Sequence, residues 1–362
     1  MKPGKIVGAL AFVLVGCGGA QTPAPDAATK TAPAPAAPAV AEPEAASADT
    51  PAAPVADAAP AADKPSHGPS CDGRAGAGDD CGPGESCCAR SLIPGGEVVY
   101  RKLDAGPGEK RQVKGFYLDK FEATVGRFRA WVAAGQPVPK AGDVLHDDGA
   151  GNVLAWPKNG KVQDEAHLGG WKRYDTWSAG DDRLPKNNIT WFTAAAFCKW
   201  DGGRLPTDME WTRAARGGEE DRPYPWGTDA PTPEHAVYNC MGDGDKSCAL
   251  SDILPVGSRP KGTGRWGQVD LAGSLFEWIE SPGKIAGADP TEKARGGGFC
   301  YIGGVDRRAS TELRPAVFRD DSPETVSHMT GVRCAYDAGS SGDKPAEQAP
   351  SPSGGGGSIT AK

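Results

Sequence analysis

The chain has no basic surplus. Its 40 Lys and Arg stand against 47 Asp and Glu, for a formal net charge of -7. A nucleic-acid binder gains most of its affinity by displacing counterions with Lys and Arg, so nucleic acid is excluded as a partner. Long apolar runs are missing as well. The stretch Ile6–Val15 is too short to cross a bilayer as an ordinary transmembrane helix. The run Gly296–Gly298 lacks the lysine of a phosphate-cradling loop. No Ser-His-Asp set can be proposed, and no two of His67, His146, His167, His235 and His328 stand at metal-ligand spacing.

Glycine (51), proline (33) and cysteine (10) are plentiful instead. Ten cysteines are too many for an ordinary cytosolic enzyme and read as the disulfide set of an exported chain. The N-terminus agrees. Lys2 and Lys5 precede the short apolar run, and Leu14-Val15-Gly16-Cys17 resembles a lipobox, the signal for bacterial lipoprotein processing. Residues 1–17 are thus expected to be a signal peptide ending in a lipid-modified Cys17, with the membrane as partner through that anchor. Gly18, not Asp, follows Cys17, which among such signals favours the outer membrane of the cell envelope. Residues 18–68 are Ala and Pro with scattered acids and cannot build a core, so they read as a disordered tether. Such a tether reaches roughly 40 Å as a coil and roughly 150 Å fully extended. Residues 338–362, with the run Gly354–Gly357, read as a disordered tail.

Residues 69–89 form a Cys-rich lead-in with Cys71, Cys81, Cys87 and Cys88. Zinc binding is conceivable there, but the spacing is not that of a CxxC pair, and disulfides are the better reading. Three pairings are open, and the adjacent Cys87 and Cys88 are unsuited to bond each other because the small ring strains the peptide between them. Three helices are expected farther on. Thr124 caps one whose face carries Val125, Phe128, Trp131 and Val132, and Thr190 caps a second through Ala194, Phe197 and Cys198. Thr207-Asp208-Met209-Glu210 reads as a capping box, with Gly217-Gly218 ending the third helix. Alternation in Gly115–Asp119 suggests a strand, and Pro/Gly-rich loops dominate elsewhere.

The order of anchors over residues 90–337 resembles the formylglycine-generating enzyme, or sulfatase-modifying factor, family. The matching segments begin with Tyr117–Val125, Asn188–Trp191 and Phe197–Trp200. The most specific are Gly203–Thr207, Glu210-Trp211 and Ala214–Gly218. Tyr224–Gly227, Pro255–Ser258, Asp270–Gly273, Phe276–Trp278, Arg295–Phe299 and Gly331–Ala335 follow in family order. The resemblance implies an α+β fold, distantly similar to C-type lectins, with short strands, few helices and many loops. Trp191, Trp200, Trp211, Trp226, Trp266 and Trp278 are available as core area for a domain poor in regular structure.

The resemblance also implies chemistry. These enzymes oxidise a cysteine of a partner sulfatase to an aldehyde-bearing residue with oxygen and copper. Two thiolates just after the Arg-Gly-Gly segment hold Cu(I), a soft ion suited to sulfur. Cys300 falls one residue before the first of these positions, as the candidate catalytic thiol. Tyr301–Asp306 contain no second thiol, so copper lacks its two-sulfur site. The family pairs a helix cysteine with one near the C-terminus, implying Cys198–Cys334, and Cys240 and Cys248 close a short polar loop. Calcium is implied near Asn239, Asp252 and Glu277, although Ser274 replaces the amide donor of the family motif. An iron-dependent sulfoxide synthase of this fold would need a histidine pair that is missing. Two expectations result: a divergent oxidase acting on an exported protein through Cys300, or a non-catalytic envelope module binding a peptide or glycan.

Overall fold

The computed structural model describes residues 68–100, 108–170, 172–245, 247–280, 292–295, 313 and 318–338. All lie in the compact unit Pro65–Lys362. Cys17, the Ala/Pro-rich segment before residue 68, Cys300 and the tail after 338 fall outside the described residues.

Two small sheets carry the fold. In the first, β4 (Phe116–Asp119) is the centre, antiparallel to both β1 (Arg90–Ile93) and β11 (Ala335–Asp337). Leu118 lies opposite Ser91 on one side and Ala335 on the other, so the two ends of the domain meet on one strand. The second sheet runs β10 (Thr330–Gly331), β7 (Phe276–Trp278), β8 (Glu292–Arg295) and β9 (Phe318–Asp321). Two hairpins stand beside these sheets: β2 (Gly96–Tyr100) with β3 (Glu109–Val113), and β5 (Val144–Asp147) with β6 (Val153–Ala155).

The three helices form behind their threonines. The Thr124 hydroxyl accepts from the Arg127 amide at the start of α1 (Val125–Ala133), and Thr190 accepts from Thr193 at the start of α2 (Trp191–Trp200). Helix α3 (Asp208–Arg216) starts with the full capping box of Thr207 and Glu210. It ends at Gly217, whose φ of 67° lies in the left-handed region open to glycine. Helices α1 and α2 share a core in which the Phe128 and Phe197 rings stack 4.1 Å apart, with Trp131 edge-on to both. Trp191, Trp278, Leu205 and Val332 join the same core. A second cluster packs Trp211 and Ala215 of α3 against Ile93, Phe116 and Leu118. Of the six tryptophans expected to supply core area, Trp191, Trp211 and Trp278 are fully buried. Trp200, Trp226 and Trp266 are half-buried instead, because their outer faces meet the surface. Trp226 stacks on Tyr224 and His235, and the guanidinium groups of Arg213 and Arg265 lie 5.4 and 5.2 Å from the Trp266 ring.

The lead-in is built into the domain. Disulfides join Cys71 to Cys88 and Cys81 to Cys87, resolving the three open pairings. The Gly76 carbonyl accepts from the Thr124 hydroxyl, and the chain passes so near α1 that a Cβ on Gly126 would lie 2.1 Å from the Ala75 carbonyl oxygen. Cys198–Cys334 and Cys240–Cys248 are the other two disulfides, and no described cysteine is free.

Candidate functional site

Strands β7 and β8 frame the site. Their antiparallel register sets Glu277 opposite Arg295 and Trp278 opposite Ala294. Arg295 leads directly into the glycine run and, five residues on, Cys300. Strand β7, the partner of β8, is anchored in the core: the Trp278 indole N–H donates to the Ile189 carbonyl at 2.9 Å.

Beneath β7 lies a buried charge cluster. The Glu277 carboxylate accepts from Arg333 Nε and Nη2 and from Trp211 Nε1, at 2.7–2.9 Å. Arg333 also donates to the carbonyls of Asp119, Lys120 and Val269, tying the first sheet to the second. Glu122 accepts from the Leu275 amide at 3.0 Å and meets the Ser274 hydroxyl at 2.9 Å. Asp270 accepts from the Gly257 amide at 2.7 Å. Three buried carboxylates thus face one guanidinium. Burial pushes the Glu122 carboxyl well above its ordinary value, and the charges of Asp270 and Glu277 push it further. Burial likewise raises Asp270, to about 6, against the Gly257 amide and Arg333 that pull it down. The loop from Asp270 to Leu275 that delivers β7 is therefore held by groups that favour a bound proton.

Other buried polar groups escape sequence reasoning, because their partners are remote in the chain. Arg127 donates to Asp119 at 2.8 Å, to Asp201 at 2.7 Å and to the Ser70 hydroxyl at 2.9 Å, and is fully buried. Lys186 is fully buried too, its Nζ donating to the Leu168 and Asn187 carbonyls. At the far end of β7, His146 Nδ1 meets both Glu280 oxygens at 2.8 and 2.9 Å. That pair docks the β5–β6 hairpin.

Residues 82–338 match the sulfatase-modifying factor enzyme 1-like domain. The chain belongs to this family. Among its relatives, the inactive C-alpha-formylglycine-generating enzyme 2 of Mus musculus is 34% identical over 158 residues, covering 43% of this chain and 50% of the relative. The chain thus spans about half the length of that relative. The formylglycine-generating enzyme of Streptomyces coelicolor is 29% identical over 310 residues, covering 71% of this chain and 93% of the relative. Among solved structures, PvdO from Pseudomonas aeruginosa is 17% identical and superposes with a TM-score of 0.47 over 69% of this chain and 94% of its own.

Within the sulfatase-modifying factor domain, the expected site residues separate. Cys300, the candidate thiol, lies outside the described residues, as does Cys17. The other eight cysteines are all spent in disulfides. The residues expected near calcium serve separate networks. Glu277 is taken by Arg333 and Trp211. Asp252 accepts from the Gly242 and Ala249 amides at 2.9 and 2.8 Å. Asn239 is half-buried at a left-handed φ of 55°, next to the Cys240–Cys248 bridge.

Proposed function

We propose that this sulfatase-modifying factor domain is a non-catalytic binding module of the cell envelope, tethered through lipid-modified Cys17, whose ligand is an exported peptide or glycan. One observation carries the reading. Eight of the ten cysteines are committed to disulfides, and the sequence after Arg295 offers one cysteine, Cys300, where the oxidase chemistry needs two. One sulfur cannot give Cu(I) a two-thiolate site. The similarity to a relative described as inactive supports the same reading. A second reading, a divergent oxidase using Cys300 alone, is favoured by the position of that residue three places after the Arg295-Gly296-Gly297 segment.

Cu(I) titration of the unreduced chain, together with mass spectrometry of a Cys-x-Pro-x-Arg peptide incubated with it in air, separates the two. The binding-module reading expects no tight copper that depends on Cys300 and no aldehyde. Stoichiometric copper that Cys300→Ala abolishes, accompanied by aldehyde formation, would establish the oxidase.

A further inference from the structure

Hairpin β2–β3 has two outer edges, and they differ. On the β2 side the Glu97 amide donates to the Glu219 carboxylate at 3.0 Å, and Arg213 donates to the carbonyls of Glu97 and Gly95. Both main-chain groups of Glu97 therefore point away from β3. Glu97 lies opposite Gln112. Opposed residues of an antiparallel pair that exchange no hydrogen bonds turn their amides and carbonyls outward on both strands. The alternation makes Val99 and Lys110 a second pair of this kind. Lys110 and Gln112 thus each direct an N–H and a C=O to the outer edge of β3. Residues Glu109 to Gln112 are exposed, and no described group bonds to those four main-chain atoms.

This open edge is also positive. From Glu109 to Lys114 the chain carries three cations, Lys110, Arg111 and Lys114, against one acid, in a molecule of net charge -7. Lys110 pairs with Glu97 and Arg111 with Glu109, yet the two cationic side chains are 69% and 60% exposed. Ion pairs this open to water contribute little and exchange readily for others. Lys114 Nζ donates to the Asp148 main-chain carbonyl, which leaves its charge unneutralised.

We propose that the outer edge of β3 binds a peptide segment of an exported protein as an added strand, acidic at the residues beside Lys110 and Arg111. This rests on the binding-module reading and narrows its ligand to a peptide. The outward amides and carbonyls of Lys110 and Gln112 continue the ladder onto the incoming strand, and the cations select its side chains. A glycan has no main-chain amides with which to continue that ladder. A second copy of the chain is rejected by the same charges. Antiparallel self-pairing centred on Lys110 sets lysine against lysine, and centred on Arg111 it sets arginine against arginine.

The test uses the full chain and a fluorescein-labelled octapeptide of alternating Glu and Thr, with a counterpart in which Lys replaces each Glu. Binding is read by fluorescence anisotropy and by hydrogen exchange along the chain. The expected result is saturable binding of the acidic peptide alone, weakened by salt, with slowed exchange at β3. Gln112→Pro removes an outward donor without breaking a bond to β2, and should weaken binding by about fivefold or more. Lys110→Glu/Arg111→Glu, at two exposed positions, should lose the acidic peptide and take up the basic one. No saturable binding, equal binding of both peptides, or slowed exchange that spares β3 would each overturn the proposal. Acidic-peptide binding unchanged in the charge-reversed variant also overturns it, while sparing the binding-module reading. Failure of that reading is seen separately, as aldehyde formed through Cys300.

Discussion

Lys186 shows how a single residue can carry a charge problem into the core. Its ammonium is cut off from water, and burial draws its pKa down to about 7 despite the opposing charge of Asp175. Two carbonyl acceptors suit the two N–H bonds of a neutral amine, and the Phe128 and Trp177 rings lie 6.0 and 5.7 Å away. Because the folded pKa lies below the unfolded value of about 10.4, the native chain binds fewer protons between those limits. This contribution to stability is complete above about pH 10 and is lost as pH falls towards 7. Urea unfolding of wild type and Lys186→Met at several pH values should show wild type gaining on the variant by about 4 kcal/mol between pH 7 and 10. Nothing in the local run Lys186-Asn187-Asn188 announces this role. The carbonyl of Leu168 and the rings come from other parts of the chain, and only the fold brings them together.

Among the elements, those whose signals are local were legible and those built by distant pairing were not. Thr207, Glu210 and Gly217 define α3 within a dozen residues, since a cap answers the free amides of its own first turn. Thr207→Ala should cost about 1 kcal/mol, read as a lower denaturation midpoint with an unchanged slope. Strand β10 has two residues, Thr330 and Gly331, and exists only because β7 lies parallel to it. No periodicity can be read from so short a segment. Hairpin β2–β3 has a similar dependence on its surroundings. On the outer side of β2, Arg213 of α3 donates to the carbonyls of Pro94, Gly95 and Glu97, while the exposed carboxylate of Glu219 accepts from the Glu97 amide. Side chains thus occupy groups that would otherwise invite another strand. The site divides along the same line: its cysteines and family motifs were visible in the chain, whereas the Glu122–Asp270–Glu277–Arg333 cluster required the two sheets to be placed first.

For the whole molecule, that cluster sets a pH dependence. Glu122 and Asp270 have folded pKa values above their unfolded ones, so the native chain retains protons that the unfolded chain gives up. Their contribution is greatest below about pH 4 and is lost as pH rises, through about 6 for Asp270, and in the same direction for Glu122. Asp270→Asn keeps an acceptor for the Gly257 amide, and Asn tolerates the left-handed φ of 62° found at this position. Calorimetry of the pair should show the variant gaining on wild type by about 2 kcal/mol between pH 4 and 7.

Cys198 in α2 and Cys334 beside β11 close a covalent ring of sequence separation 136, which contains α3, β7 and β8. A protease that cuts one peptide bond inside this ring therefore releases nothing. Both pieces stay covalently joined, so a single nick is invisible to size analysis until the disulfides are reduced.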